Sequence, residues 1–385
     1  MNECSLAKDQ LYMYNNTFRK TRNTLFVISL VTMSYLFFSC ASREIDTETL
    51  VLNVEFNMSK NTPFRVSQMI DTVSFIQLDD SCLIGFIDEL KVFDKNLFAC
   101  DKHAGVIYCF SMEGKLIRKI DCKGRARNEY VSISNMDVSQ TTGEIIILDA
   151  MTNRFVVFSK DGDYLRDIKC EDVVRDFTVM SNGDYLMYTP DYIENARRGL
   201  WLCDSLGRYK KHLVSISDDF KSGGIYPDYL IHIGRDSVGL MGGEDKDNIY
   251  LVHGDSVKTQ YHIDYGFSIP SQLASDPLSD YEKHQGEVYT KYSYFENRKW
   301  LMFSSSNMES TITTIYDKIN KKQYDISRQE DIINDKKLYG HMMYLNNELM
   351  ICMMLPDSQD KEAIRRMMPN FKSNTNPILA IYTIK

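Results

Sequence analysis

Two segments of this chain superpose without a gap at an offset of 48 residues: KNLFACDKHAGVIYCFSMEGKLIRKI (95–120) and GEIIILDAMTNRFVVFSKDGDYLRDI (143–168). Asp101 falls on Asp149, Phe110 on Phe158, Ser111 on Ser159, Gly114 on Gly162, Arg118 on Arg166 and Ile120 on Ile168. Each copy reads as an apolar strand ending in Asp, a short polar turn, a strand ending in Phe, a turn with Gly, and a third strand. Units of this length made of short antiparallel strands cannot bury their faces alone and stack around an axis, which is the signature of propeller blades.

Fainter copies recur at 183–209, 237–263, 299–326 and 338–384. Dividing the 320 residues after Arg65 by the offset gives six or seven units, and six fits the visible copies. The expected fold is all-β: a six-bladed β-propeller of four-stranded antiparallel blades over 66–385, with a pair of β-sandwiches as the alternative. Residues 73–78 are expected to complete the last blade beside 377–384, joining the two ends of the chain in one sheet. Residues 357–368 (DSQDKEAIRRMM), followed by Pro369, read as a short helix inserted in that blade as a cover. Composition agrees, with 12% aromatic residues and only 8 prolines. The 45 Lys and Arg against 53 Asp and Glu, a formal charge of −8, argue against a nucleic-acid partner.

At the N-terminus Arg19, Lys20 and Arg22 precede an uncharged run, 25–38 (LFVISLVTMSYLFF), too short to span a bilayer as a helix and suited to a signal-peptide core. The following Ser39-Cys40-Ala41-Ser42 resembles a bacterial lipoprotein processing site, with Phe37 where Leu is preferred. The resemblance implies a signal peptide at 1–39, lipidation of Cys40, a polar tether at 40–65 and attachment to the outer membrane through the lipid anchor. The remaining seven cysteines (82, 100, 109, 122, 170, 203, 352) are odd in number and contain no Cys-x-x-Cys pair, so no disulfide framework or redox site is expected.

Four further runs resemble the six-bladed β-propeller lipoproteins of Bacteroidetes, a family akin to the NHL-repeat propellers. They are KGRARNEY (123–130), GLWLCDSLGRYKK (199–211), YHIDYG (261–266) followed by Ile269-Pro270, and the terminal NPILAIYTIK from Asn376. The family is richer in Gly and Pro before Glu-Tyr, where Ala126, Arg127 and Asn128 stand here. The resemblance implies architecture and location and carries no chemistry.

No catalytic residue, metal site or cofactor is assigned. The run Arg235-Asp236-Ser237-Val238-Gly239 lacks the Gly two places before the serine that a nucleophile elbow needs, so Ser237 reads as a strand residue. The acidic run at 244–248 lacks the glycine and final Glu of a calcium loop and reads as a solvated turn. Seven histidines (103, 212, 232, 253, 262, 284, 341) form no His-Glu-x-x-His, and spacing leaves open whether they converge at an axis. Trp201 and Trp300 read as packing residues, with exposure at a sugar-stacking face as the alternative. The polar excursion 270–287, with Tyr281, Tyr289, Tyr292 and Tyr294 in or beside it, is the better place for a binding rim.

The functional expectation is a lipid-anchored envelope propeller acting as a non-catalytic binding or scaffold protein for a glycan, peptide or outer-membrane protein. Its competitor is an envelope enzyme, a glycan lyase or hydrolase, with acid and base residues gathered at the axis; a purely structural platform is a third reading. Buried carboxylates or histidines with shifted pKa values, clustered in one axial pocket, would favour the enzyme.

Overall fold

The two repeated segments occupy equivalent places in neighbouring sheets of the computed structural model, which describes residues 49–56, 64–190, 192–217, 230–234, 236–242, 247–266, 290–307, 310–326, 340–356, 361–369, 371 and 376–385. Blade 1 comprises Glu89–Phe93, Asn96–Asp101, Val106–Ser111 and Leu116–Ile120, and blade 2 Asn135–Val138, Ile145–Asp149, Arg154–Phe158 and Tyr164–Lys169. Blade 3 is Asp176–Val179, Tyr185–Thr189, Gly199–Cys203 and Tyr209–Ser215, and blade 4 Leu230–Gly234, Ser237–Leu240, Asn248–His253 and Ser256–Asp264. Blade 5 is Thr290–Glu296, Trp300–Ser306, Thr311–Asp317 and Lys322–Ile326. Blade 6 takes His341–Leu345, Leu349–Met354 and Ile378–Ile384, then Ile70–Gln77 as its outermost strand. The first strand of every blade touches those of both neighbours, blade 6 returning to blade 1, so six inner strands surround one axis.

The repeated residues are structural punctuation. In blade 1, Gly114 N donates to Ser111 O and Ser111 N to Lys115 O; in blade 2, Gly162 N donates to Ser159 O and Ser159 N to Asp163 O. Gly114 sits at φ +83°, and a Cβ there would lie 2.4 Å from the carbonyl oxygen of Gln77, so the turn admits only glycine. Asp101 Oδ2 accepts from Gly85 N at 3.0 Å and Asp149 Oδ2 from Val131 N at 2.9 Å. Each aspartate thereby holds the connection that enters its own blade, which is why the residue recurs.

Ile70–Gln77 pairs antiparallel with Ile378–Ile384, Val73 opposite Tyr382 and Gln77 opposite Ile378, so the chain's two ends close the ring in one sheet as expected. The helix is also present, at Lys361–Met367, and buried Ile364 packs beside Trp300, Met354 and Ile378 in the layer between blades 5 and 6. The core as a whole consists of such apolar layers between adjacent blades.

The stretch read as a tether contributes to the wall. The compact unit starts at Thr49, ahead of the boundary expected at 66. Leu50–Asn53 forms a fifth strand on blade 4, parallel to Ser256–Asp264, with Leu52 and Val54 buried. Phe64 then meets Trp300 and Tyr324 of blade 5 edge-on at 6.1 and 5.1 Å, and Gln68 Nε2 donates to Tyr324 OH at 3.2 Å. Residues 49–56 add a strand that covers the open edge of blade 4, and residues 64–69 pack on blades 5 and 6.

Candidate functional site at the propeller axis

Side chains along a strand alternate between faces, so positions one and three of an inner strand share the face turned to the axis. At position three stand Lys91 of blade 1, Asp137 of blade 2, Thr178 of blade 3 and His232 of blade 4. These four converge. Asp137 Oδ2 accepts from Thr178 Oγ1 at 2.8 Å, from Val179 N at 2.9 Å and from His232 Nε2 at 3.2 Å. Its Oδ1 accepts from Val138 N at 2.8 Å and lies 4.0 Å from Lys91 Nζ. Burial alone would raise the pKa of Asp137, but the imidazole of His232, the ammonium of Lys91 and the hydrogen bonds from His232 and Val179 hold it far below the usual carboxylate range. It is a fixed negative charge shared by four blades.

A second layer, at position one, repeats the arrangement. Asp176 Oδ1 accepts from Asn135 Nδ2 at 2.8 Å and Oδ2 from Leu230 N at 2.9 Å, so one carboxylate ties blades 2, 3 and 4. Glu89 accepts from Met136 N at 3.2 Å and pairs with Lys102. On blade 5, Glu296 receives Tyr261 OH at 2.7 Å, Lys318 Nζ at 2.8 Å and the hydroxyl of Tyr294. The four carboxylates of the described inner strands are thus all engaged by protein donors.

His232 differs, with its side chain 26% exposed. Thr178 gives its proton to Asp137, so in the contact between Thr178 Oγ1 and His232 Nε2 the imidazole is the donor. That places a proton on Nε2, while Nδ1 has no partner among the described residues. The site therefore offers a preoriented ring nitrogen to a hydroxyl-bearing ligand, since a hydroxyl can donate to a neutral imidazole and accept from a charged one.

Other residues marked by the sequence separate cleanly. Ser237 Oγ meets His253 Nδ1 at 3.1 Å across paired strands, Ser237 half-buried and His253 exposed, with no strand-to-helix turn; it is a strand residue. Glu244, Asp245 and Lys246 lie outside the described residues, and Asn248 Oδ1 engages His262 Nδ1 at 2.9 Å. No group of three or more potential metal ligands occurs among the described residues. Of the histidines, His232 and His341 stand on inner strands, His103, His212, His253 and His262 do not, and His284 lies outside the described residues. Trp201 and Trp300 are both fully buried, and Trp201 packs under the Arg197 guanidinium at 5.0 Å. Tyr294 is buried, Tyr292 OH meets Ser306 Oγ at 3.2 Å, and the excursion 270–287 with Tyr281 and Tyr289 is outside the described residues, as is Cys40. All seven described cysteines are free, and burial pushes the thiols of Cys170, Cys203 and Cys352 up to about 12. No helix among the described residues is long and apolar enough to cross a membrane.

Sequence reasoning missed the axial cluster because its members are separated by 46, 41 and 54 residues and belong to no local motif. The available signal was positional: each is the third residue of an inner strand, which becomes visible only when the blades are aligned in phase.

A family model described as a domain of unknown function (DUF4934) matches residues 49–383. No curated protein matches the sequence. Among solved structures, a Bacteroides fragilis protein described as a putative exported protein is similar in fold, with a TM-score of 0.71 at 17% identity over 87% of this chain and 99% of its own. A DUF4221 family member from Bacteroides vulgatus gives a TM-score of 0.44 at 9% identity, covering 82% of this chain and 97% of its own. An inactive variant of virginiamycin B lyase from Staphylococcus aureus, solved with quinupristin, gives 0.39 at 11% identity, covering 67% and 75%. At those scores neither bears on the chemistry of this chain.

Proposed function

The chain belongs to the DUF4934 family, and on that premise we propose that it is an exported, lipid-anchored envelope propeller that binds a hydroxyl-rich ligand, a glycan, at its axis without transforming it. One observation carries the non-catalytic part: the four inner-strand carboxylates are committed to protein donors, and Asp137 is held ionised. Glycan cleavage by paired carboxylates needs a carboxyl that gives up a proton and a second carboxylate free to act, whereas Asp137 is held ionised and all four are hydrogen-bonded or ion-paired within the protein. The recognition element is His232, whose Nδ1 has no partner among the described residues and suits a sugar hydroxyl.

Export and anchoring rest on the basic residues 19–22, the apolar run 25–38 and Cys40, and the fold relative from Bacteroides fragilis carries an exported description too. Kinship with the NHL-like propellers rests on the four sequence runs given above. A peptide or a neighbouring outer-membrane protein is the other partner class this surface would suit.

The enzyme reading has one observation in its favour, since a buried carboxylate against Nε2 is how an imidazole is oriented as a general base. One experiment decides between them. The soluble chain starting at residue 41 is screened against host and plant polysaccharides and their oligosaccharides, following melting temperature together with new reducing ends or unsaturated products. A stabilising ligand without product, with the effect lost in His232→Ala, supports binding; product that disappears in His232→Ala overturns it. For anchoring, Cys40→Ser should release the protein from the membrane fraction and abolish fatty-acid incorporation, and a variant still acylated refutes that part.

A further inference from the structure

A groove of about 370 Å³ lies between blades 3 and 4, and none of the four axial residues lines it. It is built from the turn after the first strand of each blade (Asn182 and Asp236), the Gly254–Asp255 turn and the start of the outermost strand of blade 3. All of these lie at the end of the blades opposite the blade-to-blade connections. Met180 and Leu202 supply apolar lining.

The charges around it are unequally satisfied. Lys210 Nζ is 2.6 Å from Asp184 Oδ2, and Lys211 Nζ is 3.0 Å from Asp255 Oδ2. Asp236 accepts from Ser181 Oγ, and among the described residues no cation stands against it. The five charged lining residues sum to −1, and the carboxylate with no cation against it among the described residues is on the blade 4 wall. Gly254 leaves the mouth open, since a Cβ there would meet nothing within 4 Å.

We propose that this groove binds the cationic side chain of a peptide or protein partner, its aliphatic stem along Met180 and Leu202 and its ammonium on Asp236. A lysine-type group satisfies both requirements at once, because its methylenes tolerate apolar contact while its head needs an anion. A bare divalent cation does not fit, because the lining carboxylates are Asp236, hydrogen-bonded by Ser181, and two already paired with lysines. The groove is of the size that holds a single side chain or small ligand. The assignment is independent of the axial ligand, so the two stand or fall separately.

The test labels the methionine methyl groups of the soluble chain with carbon-13 and assigns Met180 through Met180→Leu. The probe is Nα-acetyl-lysine N-methylamide, with the norleucine analogue as its uncharged counterpart. The expected result is a saturable shift of the Met180 methyl with the lysine probe, weakened by salt, absent with the norleucine probe, and reduced about fivefold or more in affinity by Asp236→Asn. Asn can still accept from Ser181, so the variant should melt like the parent. No Met180 shift, equal shifts with both probes, or unchanged affinity in Asp236→Asn overturns the proposal. Should that variant fail to fold, Gly254→Asn decides, since Asn tolerates the positive φ and projects into the mouth: loss of the shift supports the site and an unchanged titration rejects it.

Discussion

Replacing Phe64 by alanine separates a strap from a tether. In a tether the ring would be solvated and its loss would cost nothing measurable. Here Phe64 is fully buried, edge-on to Trp300 and Tyr324, in the layer that also holds Val66, Met69 and Tyr382. Truncating a buried phenylalanine typically costs about 3–5 kcal/mol, because the lost transfer energy is joined by the cavity left behind. The rigid ring of Trp300 and the strand carrying Tyr324 leave little room for collapse, which favours the upper half of that range. The 337 residues from Thr49 to Lys385 carry an unfolding entropy of about 2.1 cal/mol/K each, or about 0.7 kcal/mol/K, so a loss of about 4 kcal/mol lowers the melting temperature by about 6 °C. Calorimetry on the soluble chain measures this directly, and coincident circular-dichroism and fluorescence transitions check that one cooperative unit is melting. Leu83→Ala, at a site 83% exposed, is the control and should move the midpoint by less than about 1 °C. A Phe64→Ala protein melting within that margin of the parent would falsify the strap.

Deleting residues 376–385 removes the strand between Leu349–Met354 and Ile70–Gln77, so both blade 6 and the closure are lost; the product should show no cooperative melting, and a parent-like transition would reject the closure. Asp137→Asn should destabilise the ring by about 3–5 kcal/mol, read by urea unfolding, since Lys91 and His232 lose the buried charge they face. The folded pKa of Asp137 is depressed, so its contribution is complete above the unfolded value of about 3.9 and fades as pH falls through the folded one; between pH 6 and pH 3 the parent should lose more stability than Asp137→Asn, and parallel curves would refute this. Thiol titration of the native soluble chain near pH 8 should reach Cys82 and Cys122, which are half-buried, with the other five of the seven reacting only on unfolding; fewer than seven thiols in denaturant would mean a disulfide.

Legibility in the sequence followed locality. The 48-residue offset was readable because Asp101, Ser111 and Gly114 do the same turn chemistry as Asp149, Ser159 and Gly162, and turn chemistry lies within a few residues of chain. Closure was readable because an alternating strand at 73–78 had no partner nearby and the terminal strand at 377–384 had a free side. The strap was not. Leu52 and Val54 lie in a short apolar run, 50–56 (LVLNVEF), and Phe64 stands alone among polar residues; the run is set between polar stretches and has no turn or repeat signal that ties it to a blade, so its burial becomes visible only when the outer faces of blades 4 and 5 are present to receive it. The axial site was illegible for the same reason at longer range: Lys91, Asp137, Thr178 and His232 come from four blades, and each looks like an ordinary polar residue in its own strand.

That distribution of charge has a physical logic that bears on function. An inner strand is hydrogen-bonded along one side only, so its other side presents edge groups to the channel. Asp137 and Asp176 take the backbone donors of Val179 and Leu230 from the next blade, meeting that demand and fixing the spacing between neighbouring inner strands. His232 and Lys91, with the hydrogen bonds from His232 and Val179, keep the pKa of Asp137 depressed and the group ionised. It cannot then serve as a proton donor near neutral pH, because its protonated form is vanishingly populated. What the axis retains for a ligand is the part of the network that the ring does not consume, the Nδ1 of His232, which has no partner among the described residues. The rigidity that places this nitrogen comes from the same bonds that disqualify its carboxylate neighbour as an acid, so a ligand can be recognised here by geometry already set before it arrives.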